Sequence, residues 1–255
     1  MLASLQNQLL LSTGVLAVAI LVVFLASLIR GFAGFGLSSI SIAVLTLQIP
    51  PVTLIPMFIL LETLASMMLA RGNYTRANLR ISWGLALFSA IGLPLGLIAT
   101  RSLPEDQSKM LALLLILFLA LLQLFNRAPQ FFSTKTGLYL AGLTAGIATG
   151  LASAGGMVVA LFVLAQQLPA VQMRASIVVY LFLTAFASIL TLVLTGMLDA
   201  MIFKRALFLA PFVIVGVSLG RRWFKPALEH WYKRFCLWLL IALASLGLAR
   251  LLLNF

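Results

Sequence analysis

Long apolar runs separated by short polar connectors dominate the chain. They cover residues 10–29, 37–49, 52–70, 81–100, 110–125, 137–149, 156–168, 173–195, 203–220 and 235–253. Most of these runs are long enough for an α-helix to cross a hydrocarbon layer of about 30 Å. Alternating segments of about ten residues, which are typical of membrane barrel strands, do not occur in the sequence. The pattern therefore predicts an all-α integral membrane protein.

A glycine-rich hexad interrupts the apolar runs twice. It is Gly31-Phe-Ala-Gly-Phe-Gly36 in the first half and Gly150-Leu-Ala-Ser-Ala-Gly155 in the second, 119 positions later. Gln48 and Gln167, each followed by Ile-Pro or Leu-Pro, keep the same displacement. Irregular backbone inside hydrophobic sequence is tolerated in a membrane only where it is buried in protein or lines a cavity. We therefore expect broken or re-entrant helices at the two hexads.

The repeat extends beyond the hexads and divides the chain into two halves of about five segments each. Because each half has an odd number of segments, the second half enters the membrane from the opposite side, so the repeats are inverted in topology. If the connectors alternate sides, twelve of the seventeen Lys and Arg residues lie on one face, which is then cytoplasmic. We expect a first membrane repeat over residues 1–126, a connector over 127–136 and a second repeat over 137–255.

Two short runs, residues 137–149 and 156–168, flank the second hexad. Each has about thirteen residues, fewer than the ~20 that a full crossing needs. They fit a re-entrant hairpin, or two crossings, and both alternatives return the chain to the same side.

Composition excludes several classes of protein. Hydrophobic residues make up 63% of the 255 residues and charged residues 9%, with a mean hydropathy of +1.18, which a water-soluble domain could not accommodate. The net charge of +12 lies in connectors and is not interleaved with aromatic residues, so it does not indicate nucleic-acid binding. One cysteine, Cys236, and one histidine, His230, provide no metal cluster. Since catalytic and nucleotide-binding motifs are also missing, the sequence predicts no enzyme, no metal, no cofactor and no nucleic-acid partner.

The hexads are the candidate site for a small anionic solute. A helix that begins at mid-membrane presents unpaired N–H groups and the positive end of its dipole, and both favour an anion. The predicted substrate-binding residues are Arg30, Gly31, Gly34, Gly36, Ser38 and Ser39 in the first copy and Gly150, Ser153, Gly155 and Gly156 in the second. The alternative is that the glycines only allow helices to pack closely, as the spacing of Gly142, Gly146 and Gly150 also suggests.

Other polar residues in apolar surroundings are secondary candidates. Glu62 is the only carboxylate inside an apolar run, and it is either a proton carrier that couples transport or a structural partner for Arg30. Arg30 is either a cytoplasmic anchor or a buried cation beside the anion. Arg174 is predicted to be an interfacial anchor. Gln48 and Gln167 are weaker candidates for contacts with substrate, because both lie near Pro at segment ends.

The segment that leads into Arg30-Gly-Phe-Ala-Gly-Phe-Gly36, the Pro-ended run and the second copy, Gly150-Leu-Ala-Ser-Ala-Gly-Gly156, resemble the TauE/SafE family of sulfite and organosulfonate exporters. The resemblance covers nearly the whole chain, although members often have a richer glycine run with a nearby Pro where this chain has Leu37-Ser-Ser39 and Met157-Val-Val159. The family implies transport of small sulfur-containing or carbon-containing anions across a bacterial inner membrane.

We therefore expect a secondary transporter of a small anion that works by alternating access, surrounded by membrane lipid. An anion channel and, less favoured, an intramembrane enzyme are the alternatives. A homo-oligomer is left open.

Overall fold

The part of the chain that the structure describes is entirely helical. The computed structural model describes residues 13–125, 134–166, 168–223 and 229–253. In these ranges the helices are α1 (Thr13–Ala33), α2 (Leu37–Leu45), α3 (Pro51–Ala70), α4 (Leu79–Ser102), α5 (Glu105–Leu124), α6 (Lys135–Ala152), α7 (Gly155–Ala165), α8 (Ala170–Leu194), α9 (Ala200–Trp223) and α10 (Glu229–Leu253). They follow the ten predicted apolar runs, which confirms the all-α class. Most of the predicted connector, residues 127–136, lies outside the described residues.

Seven of the described helices, α1, α3, α4, α5, α8, α9 and α10, are long and apolar enough to cross a membrane. Many of their large apolar side chains are exposed, as lipid-facing surfaces require. The chain is therefore a multi-pass integral membrane protein.

The helices that follow the two hexads are the short ones. With 9 residues in α2 and 11 in α7, they are about 14 and 17 Å long, roughly half of a hydrocarbon core. Nearly all of their residues are buried, including Ser38, Ser39 and Ser41 of α2. The preceding helix α6 has 18 residues, five more than the predicted run 137–149, because it begins two residues earlier, at Lys135, and continues three residues further, to Ala152.

Glycines allow two pairs of long helices to touch through their backbones. The most extensive contacts join α4 to α6 and α1 to α9. A Cβ added to Gly146 would lie 2.2 Å from the carbonyl oxygen of Ser89, and one added to Gly220 would lie 2.0 Å from that of Leu28. Because real Cβ atoms never approach this closely, these helix crossings exclude any larger residue.

Candidate functional site

Each hexad contains a helix break in left-handed backbone. In the first copy α1 ends at Ala33, and Gly34 and Gly36 have φ of 84° and 103° before α2 begins at Leu37. In the second copy Ser153, with φ of 49°, is the only non-glycine residue of positive φ in the described ranges. The N–H groups of Ser153 and Ala154 bond to the carbonyls of Thr149 and Ala148, which closes the end of α6.

The two breaks lie against each other although they are far apart in sequence. The Ser38 hydroxyl donates to the carbonyl of Ser153 at 3.0 Å. A Cβ added to Gly156 would lie 3.4 Å from the Cβ of Phe35, an ordinary packing distance. The starts of α2 and α7 therefore meet inside the molecule.

A small cavity of about 40 Å³ lies at this meeting point. Its walls combine the two helix starts with the middle of α3, the end of α6 and α8. The lining residues are Phe35, Gly36, Ser38, Ser39, Ile59, Glu62, Thr63, Thr149, Ser153, Gly155, Gly156, Leu181, Thr184, Ala185 and Ser188. Both halves of the chain contribute to it.

Several hydrogen-bond donors in the cavity wall have no partner among the described residues. The Ser39, Ser153 and Ser188 side chains are 3%, 6% and 6% exposed, and their hydroxyls bond to no described group. The N–H groups of Gly155 and Gly156, in the first turn of α7, likewise meet no acceptor in the described ranges. These donors lie in the cavity wall, so the arrangement offers hydrogen bonds to an occupant that accepts them.

Glu62 lies between this cavity and a buried arginine. Its Oε2 accepts from Arg30 Nε at 2.9 Å, and its Oε1 accepts from the Ser38 hydroxyl at 2.8 Å and from the Ser38 N–H at 3.3 Å. Arg30 is fully buried, and it also donates to the carbonyl of Gly34 and to the Ser66 hydroxyl. Of the two predicted alternatives for Arg30, the structure therefore places it as a buried cation, one that pairs with Glu62 and does not line the cavity.

Arg174 fastens the first hexad from the other half of the chain. Its Nε donates to the carbonyl of Phe32 at 2.7 Å and its Nη2 to that of Gly31 at 2.5 Å. Its Nη1 reaches the side-chain oxygen of Asn73 at 3.3 Å. Arg174 is only 8% exposed and satisfies carbonyls at the end of α1, a structural contact that the prediction of an interfacial anchor did not include.

Four further predicted site residues lie away from the cavity wall. Gly31 and Gly150 face helix crossings, where an added Cβ would lie 2.6 Å from the carbonyl oxygen of Val217 and 2.4 Å from the N of Leu97. Gly34 packs against the Arg174 side chain. Gln48 is exposed beyond the far end of α2, in a surface depression that Lys109 and Arg250 also line. Gln167 lies outside the described residues.

The cavity wall opposite the hexads was harder to predict from the sequence. Thr184 and Ser188 of α8 line the cavity together with Leu181 and Ala185. Their spacing of three, four and seven residues is that of one helix face, so a polar stripe in an apolar run was the available signal.

One family model matches this chain, that of the sulfite exporter TauE/SafE, over residues 19–246. No curated protein matches it. No solved structure matches it either. The match covers nearly the whole chain and includes both helix breaks and every residue of the cavity wall. The chain therefore belongs to the TauE/SafE family and is a multi-pass membrane transporter.

Proposed function

We propose that this protein is a secondary transporter that binds a small anion between the two hexads and moves it by alternating access. The anion is a sulfur-containing oxyanion, an organosulfonate or a small carboxylate, and the membrane is the inner membrane of a bacterium. The observation that carries the proposal is the meeting of α2 and α7 at one cavity. There, serine hydroxyls in the cavity wall and helix N–H groups have no hydrogen-bond partner among the described residues.

Electrostatics supports an anion as the occupant. Arg30 and Glu62 pair, so the charged side chains beside the cavity sum to zero. The remaining groups are hydrogen-bond donors and the positive end of the α7 helix dipole, and both favour a negatively charged occupant. Phe35, Ile59 and Leu181 provide an apolar side to the same cavity, which suits the short carbon chain of an organosulfonate or carboxylate.

The helix contacts support the proposal of inverted repeats. Helix α4 of the first half lies against α6, the first helix of the second half, and α9 of the second half lies against α1. Similarly, α3 packs on α8 and α5 on α10. If each helix of α1–α5 is exchanged with its counterpart in α6–α10, the same pairs of helices are in contact. Alternating access by rocking of inverted repeats requires this symmetry of contacts.

The first test is binding. Thermal stabilisation of the purified protein would be measured with sulfite, sulfate, thiosulfate, sulfoacetate, taurine and small carboxylates, since a ligand that binds only the folded state raises its stability. We expect at least one of these anions to raise the Tm, and the effect to be reduced in a Ser39→Ala, Ser153→Ala double variant. Ser41→Ala is the matched control, because the Ser41 hydroxyl is buried in α2 outside the cavity wall.

The second test distinguishes a transporter from an anion channel. Liposomes that contain the protein would be loaded with the stabilising anion, diluted, and supplied with a radiolabelled trace outside. With the membrane potential held at zero by valinomycin and equal K⁺ on both sides, a transporter accumulates the label above its external concentration by counterflow, whereas a channel only equilibrates it. Equilibration without accumulation would favour the channel, and stabilisation by none of the anions would contradict the proposed site.

A further inference from the structure

The two oxygens of the Glu62 carboxylate serve different parts of the molecule. Oε2 accepts from Arg30, which lies outside the cavity wall, whereas Oε1 accepts from the N–H and the hydroxyl of Ser38, which lines it. Oε1 therefore occupies the first turn of α2, the place where a helix start binds an anion. The Glu62 carboxylate thus occupies the anion position at the start of α2, whereas the equivalent position at the start of α7 is open to a ligand.

The Arg30 side chain is fixed by hydrogen bonds to other groups, so it cannot move together with Glu62. Its Nη1 and Nη2 donate to Gly34 and Ser66, and the side chain is fully buried. The Glu62 side chain, in contrast, is 14% exposed and lines the cavity. A proton that enters from the cavity consequently reaches Oε1, while Oε2 remains bound to the guanidinium.

Arg30 of α1 is the one charged group that contacts Glu62 among the described residues. The cavity walls from α2, α6, α7 and α8 supply hydroxyls, backbone and apolar groups. Tyr180 of α8 bonds to Ser89, and Arg174 binds the end of α1. Arg205 of α9 lines a different cavity, with Thr53 and Met57 of α3.

We propose that Glu62 competes with the transported anion for the start of α2, and that protonation of its Oε1 admits the anion. A protonated Oε1 no longer accepts from the Ser38 N–H, so this donor becomes available to a ligand. The new O–H is itself a donor to an anion. Neutralisation also removes the repulsion between two negative charges in one cavity. Each bound anion is therefore accompanied by one proton. This inference rests on the proposed function.

The proton count can be measured directly on the unmodified full chain. Sulfate and methanesulfonate are suitable probes, because neither titrates between about pH 5 and pH 8 and any proton taken up must bind the protein. Titration calorimetry in buffers of different ionisation enthalpy should give about one proton per anion. In the range where Glu62 is ionised in the free protein, the Kd should rise by about tenfold per pH unit.

The Glu62→Gln variant removes the titrating group and keeps an oxygen acceptor for Arg30. We expect it to bind the probe with no proton uptake and with a Kd that does not depend on pH. Glu105→Gln is the control: Glu105 lies at the exposed start of α5 and pairs with Lys109, so this variant should keep the pH dependence of the unmodified protein.

The outcomes separate this inference from the function on which it rests. Binding of a probe by the unmodified protein without proton uptake would overturn the competition and leave the anion site standing. The same conclusion follows if Glu62→Gln retains the full pH dependence. If the anion panel as a whole, these probes included, fails to bind, both proposals fall. The proton count of the unmodified protein decides the matter even if Glu62→Gln does not fold.

Discussion

The hydroxyl of Ser38, in the first turn of α2, lies 3.0 Å from the backbone carbonyl of Ser153, which ends α6 in the other half of the chain. The same hydroxyl lies 2.8 Å from Glu62 Oε1. Because a hydroxyl carries one hydrogen, it divides its donation between a carbonyl of the second hexad and a carboxylate of the first half. Ser38 thereby connects both helix breaks with the ion pair of Arg30 and Glu62.

Replacement of Ser38 should therefore lower the affinity for the anion, although the side chain is small. We expect Ser38→Ala to raise the Kd of the stabilising anion by about fivefold, because the hydrogen bond to the Ser153 carbonyl, which contributes about 1 kcal/mol, no longer holds the two helix breaks together at the cavity. The measurement is the ligand-dependent shift in Tm. Ser41→Ala is the matched control in the same helix, because the Ser41 hydroxyl has no partner among the described residues. Equal effects of the two variants would contradict a specific role for Ser38.

The ion pair of Arg30 and Glu62 should be necessary for folding stability. Arg30→Gln leaves a buried carboxylate without its cation, and we expect a loss of about 3–5 kcal/mol in the free energy of unfolding. Adding Glu62→Gln should restore part of the loss, since the uncompensated charge is then removed. Thermal unfolding in detergent measures the cycle. Lys109→Gln breaks a pair with Glu105, whose side chain is 53% exposed, and should cost less than about 1 kcal/mol. A loss as large as that of Arg30→Gln would contradict a larger contribution from the more buried pair.

The glycine crossings should tolerate no side chain. Gly146→Ala and Gly220→Ala each place a Cβ about 2 Å from a backbone carbonyl oxygen of the neighbouring helix. We expect both to destabilise the protein by about 1–3 kcal/mol, because the helices must separate. Gly14→Ala, in α1, meets nothing within 4 Å and should be neutral or slightly stabilising. Unchanged Tm values for Gly146→Ala and Gly220→Ala would show that these helices can move apart without cost.

Much of this architecture could be predicted from the sequence, because a helix that crosses a lipid bilayer needs a long run of apolar residues. Apolar runs bounded by Pro and basic residues predicted all ten described helices, and α2 begins at Leu37 as expected. The second break was less predictable. Its left-handed residue is Ser153, whereas Gly150, the residue that attracts attention in the hexad, continues α6 and packs against Leu97 and Gly96. A glycine alone does not reveal whether it serves a turn or a close contact.

The candidate site was predictable only in part, for a related reason. Ser38, Ser39 and Ser153 lie within or beside the repeated motif, so the pattern pointed to them. Thr184 and Ser188 come from α8, about 30 residues after the second hexad, and the packing of α8 against α7 brings them to the cavity. Residues this far apart in sequence come together through tertiary contacts, and a local sequence pattern does not reveal such contacts.

Arg174 provides the last prediction, because its guanidinium connects the second half to the first hexad at Gly31 O and Phe32 O and to the connection between α3 and α4 at Asn73 Oδ1. A lysine has one ammonium group and cannot reproduce the planar fork that reaches both carbonyls. We expect Arg174→Lys to lose about 1–3 kcal/mol of stability, as a buried carbonyl is left unsatisfied, and to bind the anion more weakly because the turn at Gly34 loosens. Thermal unfolding and anion titration measure the two effects.

Arg101→Lys is the control, since Arg101 is exposed and reaches the carbonyl of Thr195 at 3.3 Å. This variant should change neither the stability nor the affinity. Native stability and native affinity in Arg174→Lys would mean that the end of α1 holds its shape without this side chain.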